Sequence, residues 1–205
     1  MSGMIKPLNT LQKLSSGTPV TIAAIGDSLT ASWLVRRGYI EIFEDLLHKQ
    51  YPSTRINVIA RGVPGDTADS GAYRLKWDIL DYKPDCVLIQ YALNDAFMGF
   101  TTGQFKGNIR KMIDAVREDP EADIVLLTSS YTGGSEDSGF VEEFYQQLID
   151  LGNEYGLAVS LTHRYWKAKM DGGETDFQSL VQYDMVHPTE RGYRLMAEAL
   201  MTLFV

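Results

Sequence analysis

Five short runs rich in Val and Ile recur along the chain, at Pro19 to Ile25, Arg55 to Ala60, Asp85 to Tyr91, Asp123 to Thr128 and Gly156 to Leu161. What separates them constrains the fold most. The segments Gly38 to Lys49, Asp66 to Tyr82, Thr102 to Glu118 and Phe140 to Tyr155 carry helical periodicity, and a last helix is expected from Thr189 to about Leu203. Parallel strands need long crossovers, and crossover helices cover both faces of the sheet they connect. Continuous apolar strands alternating with amphipathic helices therefore predict an α/β fold: a three-layer α/β/α sandwich around a central five-stranded parallel sheet, flavodoxin-like, with all five strands buried on both faces.

At 205 residues, with 44% hydrophobic and 22% charged, the chain can bury about 70% of its unfolded surface around one core. No repeat, low-complexity tract or linker divides it, so a single domain over residues 1–205 is expected. The net charge of -8, with no Lys/Arg cluster against it, disfavours a nucleic-acid partner. The lone Cys86 sits in the apolar run "DCVLIQY", where a buried thiol is expected and no intrachain disulfide can form. The N-terminus lacks an apolar h-region, which points to the cytoplasm, and no window reaches the ~18 apolar residues of a membrane span.

In an open parallel sheet, ligands bind beyond the carboxyl ends of the strands. The first strand ends in Gly26-Asp27-Ser28, the second in "ARGVPGDT" with Gly62 and Gly65, and the third in "ALNDAF" with Asn94 and Asp95. Before the last helix comes "YDMVHPTERGY", which holds Asp184 and His187 three residues apart. Each piece alone reads as turn or cap chemistry. Together they hold a serine nucleophile at a strand-to-helix junction, a histidine base, an aspartate to orient it, and backbone and Asn donors for an oxyanion.

These four blocks resemble those of the SGNH hydrolases, the GDSL-type esterases and lipases, with "GDSL" itself at Gly26 to Leu29. The resemblance implies a serine esterase or acylhydrolase with Ser28 as nucleophile, Asp184 and His187 as acid and base, and an oxyanion hole of Ser28, Gly65 and Asn94. It implies no cofactor and no metal. The implied partner is a small-molecule ester: a short-chain acyl or acetyl ester, a lysophospholipid or a thioester. Gly65 is preferred to Gly62 because the family's second block often reads N-x-G-x-x-G with the later glycine as donor. Two positions depart from the pattern: Ala60 replaces the usual Asn of that block, and Ala92 the usual Gly before the third-block Asn. The alternative function is a non-catalytic small-ligand-binding protein on the same fold.

Other chemistries fit less well. Ser28 lacks the G-x-S-x-G of α/β-hydrolases, and the three histidines, His48, His163 and His187, are scattered without a zinc motif. His163 has no acid at nearby spacing and is read as a polar residue at a strand end; His48 sits near a helix C-terminus, where a cation suits the dipole. Asp27 and Asp95 are expected to accept backbone N–H groups and stiffen their loops. Two stretches read as long loops, Tyr131 to Gly139 and Tyr165 to Tyr183.

Overall fold

The expected alternation is realised in the computed structural model, which describes residues 4–133 and 136–205. In chain order the elements are α1 (Leu8–Ser16), β1 (Val20–Gly26), α2 (Tyr39–Gln50), β2 (Ile56–Gly62), α3 (Ala68–Asp78), β3 (Cys86–Gln90), α4 (Leu93–Phe97), α5 (Thr102–Val116), β4 (Asp123–Leu127), α6 (Glu136–Tyr155), β5 (Ala158–Ser160), α7 (Thr162–Asp171), α8 (Phe177–Leu180) and α9 (Glu190–Met201). The strands form one parallel sheet in the order β2-β1-β3-β4-β5, the doubly wound flavodoxin-like order. Helices α3, α5 and α6 pack side by side on one face, while α2 packs on α9 and α9 on α7 on the other, as right-handed crossovers require when the chain moves outward from β1 in both directions.

The interior strands are buried along nearly all of their length, with only Thr21 and Asp123 partly exposed. Ile22 to Ile25 of β1, Val87 to Ile89 of β3 and Val125 to Leu127 of β4 have no solvent exposure, which removes the apolar area that chiefly stabilises the sandwich. Aromatic pairs seal the two helical layers, Phe43 against Phe204 with ring centroids 5.0 Å apart and Phe105 against Phe144 at 5.3 Å. The expectation that every strand is buried on both faces fails at β2. It is an edge strand, with Asn57 and Ala60 exposed. Cys86 is fully buried, and burial pushes its thiol pKa up.

Elements differ from the sequence expectation in four places. Helix α1 was not anticipated, and neither was the short α4. The stretch from Tyr165 to Tyr183 is largely helical, because "THRYWKAKMD" buries Thr162, His163 and Trp166 at the i, i+3 spacing of one helix face. Within Tyr131 to Gly139, α6 already begins at Glu136, and residues 134 and 135 lie outside the described residues. No helix among the described residues is long and apolar enough to cross a membrane.

Candidate active site

The ladder brings three loops out of the sheet at one level. Gly26, the last residue of β1, lies opposite Gly62 of β2 and opposite Gln90 of β3. Ser28 follows two residues after Gly26, Gly65 three after Gly62, and Asn94 four after Gln90. The Val63 N–H donates to the Gly26 carbonyl at 3.0 Å and extends the β1–β2 pairing into the loops. Gly62 must be glycine because the chain after Ser28 crosses directly over it: a Cβ there would overlap the backbone of Thr30 and Ala31.

After Ser28 the chain does not enter a helix at once, contrary to the expected strand-to-helix junction. It makes successive turns, with the Ala31 N–H donating to the Asp27 carbonyl at 3.1 Å and the Trp33 N–H to the Ser28 carbonyl at 3.0 Å, and α2 starts only at Tyr39. Ser32 and Leu34 take positive φ angles of 56° and 64° in these turns. The tight geometry leaves Ser28 7% exposed at the sheet's carboxyl end.

His187 arrives from the far end of the chain. The segment is a narrow antiparallel loop: Val181 bridges Pro188, the Gln182 N–H donates to the His187 carbonyl at 2.8 Å, and the Thr189 N–H to the Leu180 carbonyl at 2.8 Å. At its tip Met185 adopts φ 61°. Asp184 Oδ1 accepts the N–H groups of Val186 at 3.0 Å and His187 at 2.9 Å, and its Oδ2 lies 2.7 Å from His187 Nδ1. His187 Nε2 then lies 2.9 Å from Ser28 Oγ. Burial alone would raise the pKa of Asp184, but the two N–H donors and the imidazole outweigh it and hold the carboxyl below its usual range. It is therefore an anion against the ring N–H.

The structure thus brings Ser28, His187 and Asp184 into one hydrogen-bonded line. Gly65 is exposed, with φ 79°, a left-handed conformation that favours glycine, and its N–H and that of Ser28 donate to no other group among the described residues. Asn94 Nδ2 donates to the Asp66 carbonyl at 2.8 Å, which uses one of its two amide hydrogens and fixes the side chain.

Asp27 and Asp95 act as loop braces. Asp27 accepts the Leu29 N–H at 2.9 Å and the Gln90 amide at 3.2 Å, and Asp95 accepts the Ala68 N–H at 3.0 Å. Burial, only partly offset by those donors, pushes Asp27 up to about 7 and Asp95 up to about 6. Ala92 sits fully buried at φ 142°, a conformation that strains any residue with a Cβ by ~1–3 kcal/mol. Ala60 is an exposed residue of the edge strand.

Sequence reasoning missed the buried polar groups beneath these loops. Gln90 ends an otherwise apolar strand; its amide donates to Asp27 and to Ser129 Oγ at 2.7 Å, and its carbonyl accepts from Thr30 Oγ1 at 2.9 Å. Asp66 and Arg74, whose side chains are 3% and 11% exposed, pair at 2.6 Å. A Gln inside a Val/Ile run was the available signal for the first. For Arg74 the sequence offers none, since an Arg on a surface helix is commonplace.

His163, set aside for want of an acid, has one in space: its Nδ1 lies 2.8 Å from Thr128 Oγ1 and its Nε2 lies 3.4 Å from Glu142 Oε2. Its side chain is 3% exposed. Among the described residues no group of three or more His, Cys, Asp or Glu could hold a metal ion.

Residues 24–195 match the GDSL-like lipase/acylhydrolase family. Among curated proteins, an acetylxylan esterase of Geobacillus stearothermophilus is 22% identical over 92% of this chain and 94% of its own length. The thioesterase 1/protease 1/lysophospholipase L1 of Escherichia coli (strain K12) is 28% identical over 47% of this chain and 45% of its own. Among solved structures, Axe2, an acetylxylan esterase from Geobacillus stearothermophilus, superposes with a TM-score of 0.79 at 21% identity, covering 90% of this chain and 94% of that one. LAE5, an alpha/beta hydrolase from the metagenome of Lake Arreo, has a TM-score of 0.80 at 16% identity over the same shares.

Proposed function

Because the chain belongs to the GDSL-like lipase/acylhydrolase family, and so hydrolyses carboxylic esters, we propose that it does so through an acyl-enzyme on Ser28, with His187 as base and Asp184 as the acid that orients it. The observation that carries this reading is the unbroken line from Asp184 through the His187 ring to Ser28, with contacts of 2.7 and 2.9 Å. Axe2 has been solved as catalytic mutants that replace a serine, an aspartate and a histidine, the last two three positions apart, as Asp184 and His187 are here.

His187 Nε2 takes the Ser28 proton as Oγ attacks the ester carbonyl, and Asp184 stabilises the imidazolium through Nδ1–H. The carbonyl oxygen, now an oxyanion, is held by the N–H groups of Ser28 and Gly65 and by the spare Asn94 amide hydrogen. His187 hands its proton to the departing alcohol. It then draws a proton from water as the water oxygen attacks the acyl carbon, and gives that proton to Ser28 Oγ as the ester bond to Ser28 breaks and the acid leaves.

The substrate class we propose is an acetyl or other short-chain acyl ester, because the relative matched over most of its length is an acetylxylan esterase, whereas the thioesterase/lysophospholipase matches over less than half of its own. A panel of p-nitrophenyl esters from two to sixteen carbons, with Ser28→Ala as control and a fluorophosphonate label, tests both points. Activity greatest at two to four carbons, with labelling lost in Ser28→Ala, is expected. Labelling that survives Ser28→Ala would remove the proposed nucleophile.

A further inference from the structure

We propose that Arg74 is a positioning residue for the oxyanion hole, locking the nucleophile turn and the Gly65–Asn94 side of the site in one mutual geometry; the role rests on the functional reading above. Arg74 is on α3, outside the reacting line. Its guanidinium nevertheless reaches the backbone before Ser28 and the side chain that follows Gly65. Nη2 donates to the Gly26 carbonyl at 3.0 Å, two residues before Ser28. Nε and Nη2 donate to Asp66 Oδ2 at 2.8 and 2.6 Å, and Nη1 donates to Asp78 Oδ2 at 2.7 Å. Tyr91 Oη lies 3.0 Å from Nη2 and donates to the same Asp66 oxygen at 2.9 Å.

Asp66 is the hinge of the argument. It directly follows Gly65, whose N–H is one proposed donor, and its own carbonyl holds the Asn94 amide, the other. Two of the three donors therefore depend on where Asp66 sits. Its nearly buried carboxylate is held by three donors, two of them from Arg74. A planar fork grips that carboxylate through two nitrogens while still reaching the Gly26 carbonyl, a geometry that the single nitrogen of a lysine reproduces only in part. Tyr91 fits beneath α3 because residue 71 is glycine: a Cβ there would overlap the phenol ring.

The test uses the full chain, p-nitrophenyl acetate as substrate and phenylboronic acid as probe, whose serine adduct is tetrahedral and puts an oxygen in the hole. Arg74→Ala is expected to lower kcat by about 10- to 100-fold, since misplacement by ~1 Å costs rates of that order. KM should stay within about threefold, because the guanidinium touches no substrate. Affinity for phenylboronic acid should weaken by the same factor as kcat. Millimolar guanidinium should restore part of the loss in Arg74→Ala and none in Asn94→Ala, and Arg74→Lys should fall between wild type and Arg74→Ala. Tyr91→Phe, a gentler cut in the same cluster, should give a smaller loss with kcat and boronate affinity still moving together, and it serves if Arg74→Ala does not fold.

An unchanged kcat, a change confined to KM, or a lower kcat with unaltered boronate affinity overturns the proposal. If Ser28→Ala hydrolyses like wild type, the functional reading falls and this role falls with it. A dead Ser28→Ala beside a fully active Arg74→Ala sinks the role of Arg74 alone.

Discussion

Two histidines in this molecule each lie between a hydroxyl and a carboxylate, His187 between Ser28 and Asp184 and His163 between Thr128 and Glu142, and the pairs are wired in opposite senses. His187 turns Nδ1 to the acid and Nε2 to the alcohol; His163 turns Nδ1 to the alcohol, and its Nε2, which makes no hydrogen bond among the described residues, lies 3.4 Å from the acid. Ser28 Oγ has no acceptor but the imidazole among the described residues, whereas the Thr128 hydroxyl already donates to the Ser160 carbonyl at 3.2 Å. His187 is 21% exposed, on a loop at the mouth of the sheet; His163 is 3% exposed, its ring tilted on Tyr145 with centroids 4.7 Å apart. Three chemical types side by side are therefore not enough. A nucleophile also needs a proton free to leave and a path for the substrate to arrive.

The difference should be largest in turnover. Ser28→Ala or His187→Ala is expected to cut kcat by roughly 10⁴- to 10⁶-fold, while Thr128→Val and His163→Gln keep it within about threefold in the p-nitrophenyl acetate assay. A comparable loss in both sets would erase the distinction. Next come the acids. Asp184→Asn should cost about 10⁴-fold by releasing the wrong tautomer of His187, and Glu142→Gln should leave kcat and its pH profile in place.

The third contrast reverses direction and appears in stability. Burial, and then the Arg164 charge, hold His163 down from 6.5 to about 4. Its folded pKa lies below the unfolded value, so as pH falls the unfolded chain binds that proton first. The contribution of His163 to stability is therefore lost as pH falls from 6.5 to about 4, by up to about 1.4 kcal/mol per pH unit. Asp27 works the other way: raised from 3.8 to about 7, it binds its proton first in the fold and adds stability as pH falls through that window. The cleaner reading is thus the difference between wild type and His163→Gln in urea titrations, which should shift against the wild type as pH drops from 6.5 to 4. A difference flat with pH would mean that His163 titrates as it does in the unfolded chain.

The smallest effect sharpens how each ring is held. Thr189 Oγ1 caps α9, accepting the Gly192 N–H at 3.3 Å two residues after His187, whereas α7 has Leu161 at its N-cap, with no side-chain cap, and His163 is held by burial and by Thr128 Oγ1. Thr189→Ala should cost ~1 kcal/mol, a Tm about 2–4 °C lower, with a loss of turnover under about tenfold. Calorimetry beside the same ester assay measures both.

What could be read from the sequence was what the chain writes locally. The strands announced themselves as Val/Ile runs, and Asp184 and His187 lie three residues apart, so their pairing is a matter of one short loop. Glu142 lies 21 positions before His163 on another helix, which is why no spacing revealed it. Arg74 and Asp66 were illegible for the same reason, since Arg74 takes its meaning from the Gly26 carbonyl at the end of β1 and Asp66 from Arg74 and from Tyr91 just past β3. Helix α7 was missed because its buried face is carried by a threonine, a histidine and a tryptophan, which a search for Leu and Val periodicity passes over.

The alignment of Gly26 with Gly62 and Gln90 has an evolutionary corollary. Loops that leave a sheet from a common rung can lengthen or change residues beyond that rung while their starting points stay where the strands put them. New acyl or alcohol preferences can thus be acquired by grafting at the tips after Gly62 and Gln90, and a slip of the rung itself would turn every strand side chain to the wrong layer. Innovation is confined to one rim of the molecule, and the opposite rim is left to keep it folded.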